Sequence, residues 1–285
     1  MSQQRKSVRV VIVNWRTPLL TERAARSLWP QLRAGDELVV VDNASASADP
    51  HDNSLDHLRR LGAQLGGAGP TCFGLVQARR NGGFGYGVNL GARNLRQDAL
   101  VLLNSDAYAL EGFVEALTAP LGHDLVEATT ARLLLEGRWR LVGDGVEAQT
   151  EPAATTQSTG SAQLRGLDGG IWVSDPNGVE LINSTGNVVD ACGNGYDRSW
   201  LAPAKQEHDS PEVFGICGGA CAISARAWRQ LGGMRQDLFM YYEDTDFSYR
   251  LRRAGYSVEY VRQAQARHAH AASSDSASEA FTTWN

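Results

Sequence analysis

The chain has 285 residues, 42 % hydrophobic and 21 % charged, enough apolar material to bury a large core in one or two closely joined domains. A formal charge of −5 and a pI near 5.7 argue against nucleic acid as a partner, while leaving room for a local basic pocket around a single phosphate. No stretch approaches the ~20 apolar residues of a membrane-spanning helix.

Val8–Asn14 reads as a first strand, since its β-branched run is too short, and broken by Arg9, for a signal peptide. Thr17 and Pro18 then open a helix, with Thr17 as N-cap and Pro18 at the first position. Leu38–Val41 is uniformly apolar, as buried parallel strands tend to be, and ends in Asp42-Asn43. A polar segment to Gly69 reads as mobile, and Phe73–Gln77 as a short strand. Arg79 to Gly87 is a glycine-dense loop whose Arg79, Arg80 and Asn81 suit either a phosphate or a solvated turn. A helix follows to Gln97, burying Val88, Ala92 and Leu95. Leu100–Leu103 is a strand closed by Asn104-Ser105-Asp106. This alternation predicts a doubly wound α/β sheet with ligands at the carboxyl ends of its strands, where Asn14, Asp42, Asn81 and Asp106 fall. A dinucleotide fold is disfavoured. Asn14-Trp15-Arg16-Thr17 stands where G-x-G-x-x-G belongs, and Val88 replaces the third glycine of the later loop.

Beyond residue 110 the rhythm weakens. Glu111–Leu117 reads as a helix, Ala128–Leu135 as a strand, Gly143–Gly170 as a long surface excursion, and Ile171–Ser174 with Val179–Ile182 as two strands around a turn. Cys217 to Ile223 carries adjacent glycines, Gly218 and Gly219, that would let a ligand approach the backbone. Tyr242-Glu243-Asp244-Thr245-Asp246 places three carboxylates within four residues, and His268 and His270 come late. The four cysteines, Cys72, Cys192, Cys217 and Cys221, have no metal-type pairing with histidines and are expected as reduced, buried thiols of a cytoplasmic protein.

Val11 to Trp15, Val40 to Ser45, Asn81 to Gly85 with Asn89 and Asn94, Leu102 to Asp106, Gly218 to Cys221 and Tyr242 to Leu251 occur in this order. Together they resemble glycosyltransferase family 2, in the branch that includes bacterial rhamnosyltransferases of cell-surface polysaccharide assembly. The resemblance implies a GT-A fold, α/β with a Rossmann-like, mostly parallel sheet and a mixed acceptor-side subregion. One domain over residues 1–270 is expected, with 1–110 holding the nucleotide, 111–270 the acceptor and catalysis, and 271–285 a polar tail. The resemblance further implies inverting transfer from a nucleotide sugar, dTDP-rhamnose or a UDP-sugar, to a saccharide or lipid-linked acceptor. A Mg²⁺ or Mn²⁺ cofactor and peripheral association with the inner face of the plasma membrane go with it.

By the same resemblance Asp244 is the general base, and Asn14, Asp42, Asn81, Phe84, Gly85, Asn104, Ser105, Gly218 and Gly219 line the donor site. Asp42 can accept hydrogen bonds from a base or ribose, or simply end a strand. Asp106 matches the last carboxylate of the family's Asp-x-Asp metal motif, but Asn104 occupies the first position, so the loop offers one anionic ligand. His268 matches the late metal-binding histidine. Tyr242, Glu243 and Asp246 are expected to orient the acceptor, raise the base's pKa or cap a helix near Thr245. Arg250, four residues after Asp246, suits an intrahelical pair. The competing function is a sugar-nucleotide-binding or scaffold protein that kept the fold and lost turnover, and Asn104 is its one hint.

Overall fold

Apolar residues alternate along the first strand, β1 (Val8–Asn14): Val8, Val10 and Ile12 join one hydrophobic cluster and Val11 the other. A strand apolar on both faces must be covered twice, and it is. In the computed structural model, which describes residues 5–66, 71–143, 163–166 and 169–269, helices α1 (Pro18–Leu28), α2 (Ser54–Gly66) and α4 (Phe113–Thr118) cover one face. Helices α3 (Phe84–Gly91), α5 (Ala225–Leu231) and α6 (Glu243–Arg253) cover the other, where Trp228, Phe247 and Leu251 pack against Val11 and Leu102.

The remaining strands are β2 (Glu37–Asp42), β3 (Cys72–Gln77), β4 (Ala99–Leu103), β5 (Ala107–Ala109), β6 (Val126–Leu135), β7 (Trp139–Leu141), β8 (Gln163–Arg165), β9 (Ile171–Ser174), β10 (Ile182–Ser184), β11 (Asn187–Val189), β12 (Gly195–Asp197), β13 (Glu212–Val213), β14 (Ala220–Ser224) and β15 (Ser257–His268). A ten-stranded sheet runs β13-β15-β6-β14-β4-β1-β2-β3, with β10 and β5 added beside β6 and β15. β1, β2, β3 and β4 are mutually parallel. β14 runs antiparallel between β4 and β6, and β15 is parallel to β6. The carboxyl ends of β1, β2, β4 and β15 and the amino end of β14 therefore share one edge. β11 and β12 form a separate hairpin, and β7, β9 and β8 a small sheet.

The structure corrects several expectations. The supposedly mobile segment before Gly69 contains α2, whose Leu58, Leu61 and Leu65 recur at helical spacing on its buried side. Thr17 is the N-cap residue of α1 but makes no capping bond; its hydroxyl donates instead to Ser105 Oγ at 3.3 Å. α3 ends at Gly91 rather than Gln97, because the chain turns through Asn94 at φ +56° to enter β4. Arg9 takes up carbonyls left at that helix end, those of Gly91 and Arg93. The second strand expected at Val179–Ile182 is displaced: Val179 makes only an isolated bridge to Trp139, and β10 begins at Ile182. All four cysteines are free, yet only Cys217 and Cys221 are buried, while Cys72 and Cys192 are exposed. His270, the 271–285 tail and most of the 143–170 excursion lie outside the described residues.

Candidate active site

Sheet register builds the site. The pairing of His268 with Ala107 places the end of β15 beside Asp106, and the Ala220–Leu103 pairing places Gly219 beside Asn104. Asp106, 5 % exposed, meets His268 with Oδ1 2.9 Å from Nε2, and Asn104 Nδ2 lies 3.5 Å from the same nitrogen. On the ring's other side Nδ1 is 2.6 Å from Asn183 Oδ1, an acceptor only, so Nδ1 carries the proton. Nε2 then faces a carboxylate oxygen. Such a pairing needs a proton or a cation, and an imidazole fixed through its far nitrogen is how proteins commonly present a metal ligand. Asn183, buried in β10, was not identified from sequence; only its place beside β6 brings it to the ring.

Asp244 sits in the first turn of α6. Gly218 N–H donates to its Oδ2 at 2.8 Å, and Thr245 N–H to its Oδ1 at 2.7 Å. Burial nonetheless pushes its pKa up, the backbone donors opposing that shift. Glu243 is 7 % exposed and Oε2 has no hydrogen-bond partner among the described residues. Burial, helped by the neighbouring Asp244 charge, drives its pKa up to about 8. Asp246 has a different job: it accepts from Arg250 Nε at 2.8 Å, the predicted intrahelical pair, while Arg250 also donates to the carbonyls of Leu231 and Gly233. Tyr241 and Tyr242, just before the helix, hold φ of +69° and +64°, a left-handed conformation costly for bulky residues and concentrated at functional sites. Tyr242 is exposed.

The residues expected to line the donor form a largely buried polar lattice. Asn14 Nδ2 donates to Asp42 Oδ1 at 2.9 Å, Ser45 Oγ to the same oxygen at 2.5 Å, and Thr21 Oγ1 to Asn14 Oδ1 at 2.8 Å. Asn81 Oδ1 accepts from Asn43 Nδ2 at 2.9 Å and from Gly83 N–H at 3.0 Å. Asn43 thus ties the end of β2 to the glycine loop, a role sequence reasoning missed. Gly83, at φ +84°, lies where a Cβ would stand 1.7 Å from Phe239 O; at Gly85 the obstacle is Arg235 O at 2.7 Å. These glycines admit the 234–239 segment, which Asn89 also holds through Met234 N and O. Phe84 and Asp244 both border Gly218, each with an atom 3.4 Å from where its Cβ would be. The structure therefore brings together two groups, Asp106–His268–Asn104 and Asp244–Glu243–Gly218, and keeps Asn14 and Asp42 in a lattice behind them. A cleft of ≈ 740 Å³ lined by Arg5, Lys6 and Arg96 lies at the opposite edge of the sheet, away from this chemistry.

A model of the family described as "Glycosyltransferase like family 2" matches residues 5–284. The chain belongs to this glycosyltransferase family. An N-acetylglucosaminyl-diphospho-decaprenol L-rhamnosyltransferase of Mycobacterium tuberculosis is 33 % identical over 121 residues, 40 % of this chain and 39 % of that protein. The match thus spans about two fifths of the curated relative. Solved structures agree on the fold. A Pyrobaculum calidifontis mannosyltransferase in complex with GDP-Man and Mn²⁺ has a TM-score of 0.58 at 14 % identity, over 94 % of this chain and 58 % of that one. GalNAc-T7 with UDP, GalNAc and Mn²⁺ gives 0.59 at 17 % identity, over 94 % and 44 %. The family 2 member described here has the GT-A architecture that its motif order implied.

Proposed function

We propose that this glycosyltransferase is inverting, that it moves rhamnose from dTDP-rhamnose or a sugar from a UDP donor to a saccharide or lipid-linked acceptor, and that Asp244 is its general base. The observation that carries this reading is Asp244 itself: a half-buried carboxylate, its pKa raised, clamped by Gly218 and Thr245 at the edge where the strand ends converge. Oδ1 accepts from both the Thr245 N–H and its hydroxyl, whereas Oδ2 accepts from Gly218 N–H and keeps a second lone pair. Gly218 and Thr245 therefore hold the carboxylate plane while one oxygen takes the proton from the acceptor hydroxyl as that hydroxyl attacks the anomeric carbon. Burial makes the carboxylate a stronger base than one in water. The partial match to a rhamnosyltransferase supports rhamnose and a diphospholipid-linked acceptor.

Asp106 and His268 fit a divalent ion, Mg²⁺ or Mn²⁺, as a hard oxygen and a neutral imidazole nitrogen facing one another. No group of three or more His, Cys, Asp or Glu residues able to hold a metal occurs among the described residues, so donor diphosphate oxygens and water would complete the shell. Bound there, the ion would offset charge on the leaving diphosphate. Asn104, an amide where a carboxylate is expected, favours weak metal affinity and is the observation behind the alternative of a binding protein without turnover. Among the described residues no helix is long and apolar enough to cross a membrane, and attachment to the inner membrane face is proposed as peripheral. Thermal-shift screening against dTDP-, UDP- and GDP-sugars with Mn²⁺ tests donor and metal together. Stabilisation by a dTDP- or UDP-sugar that EDTA reverses is expected; indifference to all three would overturn the donor assignment.

A further inference from the structure

The β11–β12 hairpin is absorbed by none of the roles above, yet it is fastened to the site. Asn187 and Gly215 exchange backbone hydrogen bonds at 2.9 and 3.0 Å, three residues before Gly218. At Gly195 an added Cβ would stand 2.9 Å from Thr245 Oγ1, so the hairpin backbone touches the first turn of α6. Side chains two apart on a strand share a face. Asp197 therefore projects toward the same ground as the missing Gly195 side chain, beside Asp244. Its carboxylate is flanked by Ser184 and Cys217 and lies within electrostatic reach of both Asp244 and His268, and it remains only partly buried. Burial and the Asp244 charge push its pKa up to about 6.

Asp197 has hydrogen bonds from Ser184 and Cys217, but Asn187 Oδ1 beside Gly195 and Glu243 Oε2 next to Asp244 in the chain lack partners among the described residues, each on a residue 7 % exposed. Buried acceptors left unfilled cost stability unless a ligand brings donors to them. A saccharide brings hydroxyls. We infer that the β11–β12 hairpin forms the acceptor-sugar wall of the site, and that Asp197 is a specificity-determining residue that accepts hydrogen bonds from acceptor hydroxyls next to the one that reacts. The inference rests on the glycosyltransferase reading proposed above, and it adds a residue that no motif marks.

The test compares wild type, Asp197→Asn and Asp197→Ala, with dTDP-rhamnose as donor and a short-chain polyprenyl-diphospho-N-acetylglucosamine as acceptor. Nucleotide release is followed with and without acceptor, and donor binding by calorimetry. Asparagine keeps the shape of the side chain, and thermal melting of both variants checks the fold. Acceptor KM should rise about 10- to 100-fold, the range for losing a hydrogen bond to a charged group. Donor affinity and acceptor-independent nucleotide release should stay within about twofold, a split that a general loosening of the site would not give. Transfer by wild type with an unchanged acceptor KM in both variants would overturn the subsite and leave the enzyme reading standing. An equal loss of donor affinity would also overturn it. Absence of transfer by wild type would count against the donor and acceptor reading, and the subsite would fall with it.

Discussion

The two sides of the site are built on opposite principles. On the side proposed for the donor, Asn14, Asp42 and Ser45 hydrogen-bond one another, as do Asn43 and Asn81, and the backbone turns tightly through glycine. On the side proposed for the acceptor, Glu243 and Asp197 each feel the Asp244 charge, all three pKa values are raised by burial, and two tyrosines hold left-handed backbone just before the helix. A lattice of satisfied amides keeps its shape whether or not a ligand is present. A cluster of under-compensated carboxylates gives up stability to keep a base reactive. The contrast teaches where the molecule invests in rigidity and where in chemistry.

Mutations should separate the sides in order of effect. Asp244→Asn is expected to cut transfer by about 10²- to 10⁴-fold while leaving donor affinity in place, read by initial rates and calorimetry. Near-normal turnover would remove the base assignment. Gly83→Ala attacks the rigid side: a methyl group driven into Phe239 O at positive φ should lower stability by about 2–4 kcal/mol in urea unfolding. A loss below about 0.5 kcal/mol would mean that the 239 segment yields easily. Asn183→Ala should weaken Mn²⁺-dependent nucleotide binding by about 10- to 100-fold, because the His268 ring loses the partner that fixes its tautomer. Metal-free binding should not change, and an equal loss with EDTA present would refute the orienting role.

Glu243→Gln has the smallest expected effect, and its sign depends on pH. A carboxyl raised to about 8 in the fold is neutral there while the unfolded chain already ionises near pH 4.5. Stability contributed by the native glutamate therefore falls as pH rises from about 4.5 to 8 and levels off above that. Glutamine, which never ionises, should match wild type near pH 4 and exceed it by roughly 1–3 kcal/mol at pH 8. A gain that is the same at both pH values would show that Glu243 is ionised in the fold.

The parallel half was legible because its strands are apolar throughout and end in single polar residues: Asn14, Asp42 and Asp106 fall at the strand ends as expected. α2 was not, since Ser54–Gly66 carries enough Asp, His and Arg to look solvated, and only its leucine spacing marks a buried side. The motifs singled out Asp244, Asp106 and His268 as candidates but not the residues that the structure sets around them. Asn183 and Asp197 lie on three-residue strands in an irregular stretch, where position depends on long-range pairing that local periodicity does not encode. Gly83 and Gly85 pack their Cα faces against protein backbone at 234–239, a contact that the glycine pattern alone does not reveal.

That last contact links the two sides. The segment pressed against Gly83 and Gly85 is continuous with Leu231 and Gly233, whose carbonyls are held by Arg250 of the base-bearing helix. The glycine loop and the helix that carries Asp244 are therefore joined through one short segment. Under the roles proposed above, donor binding and alignment of Asp244 would depend on one segment, and a mutation that slackens it should be felt at both ends.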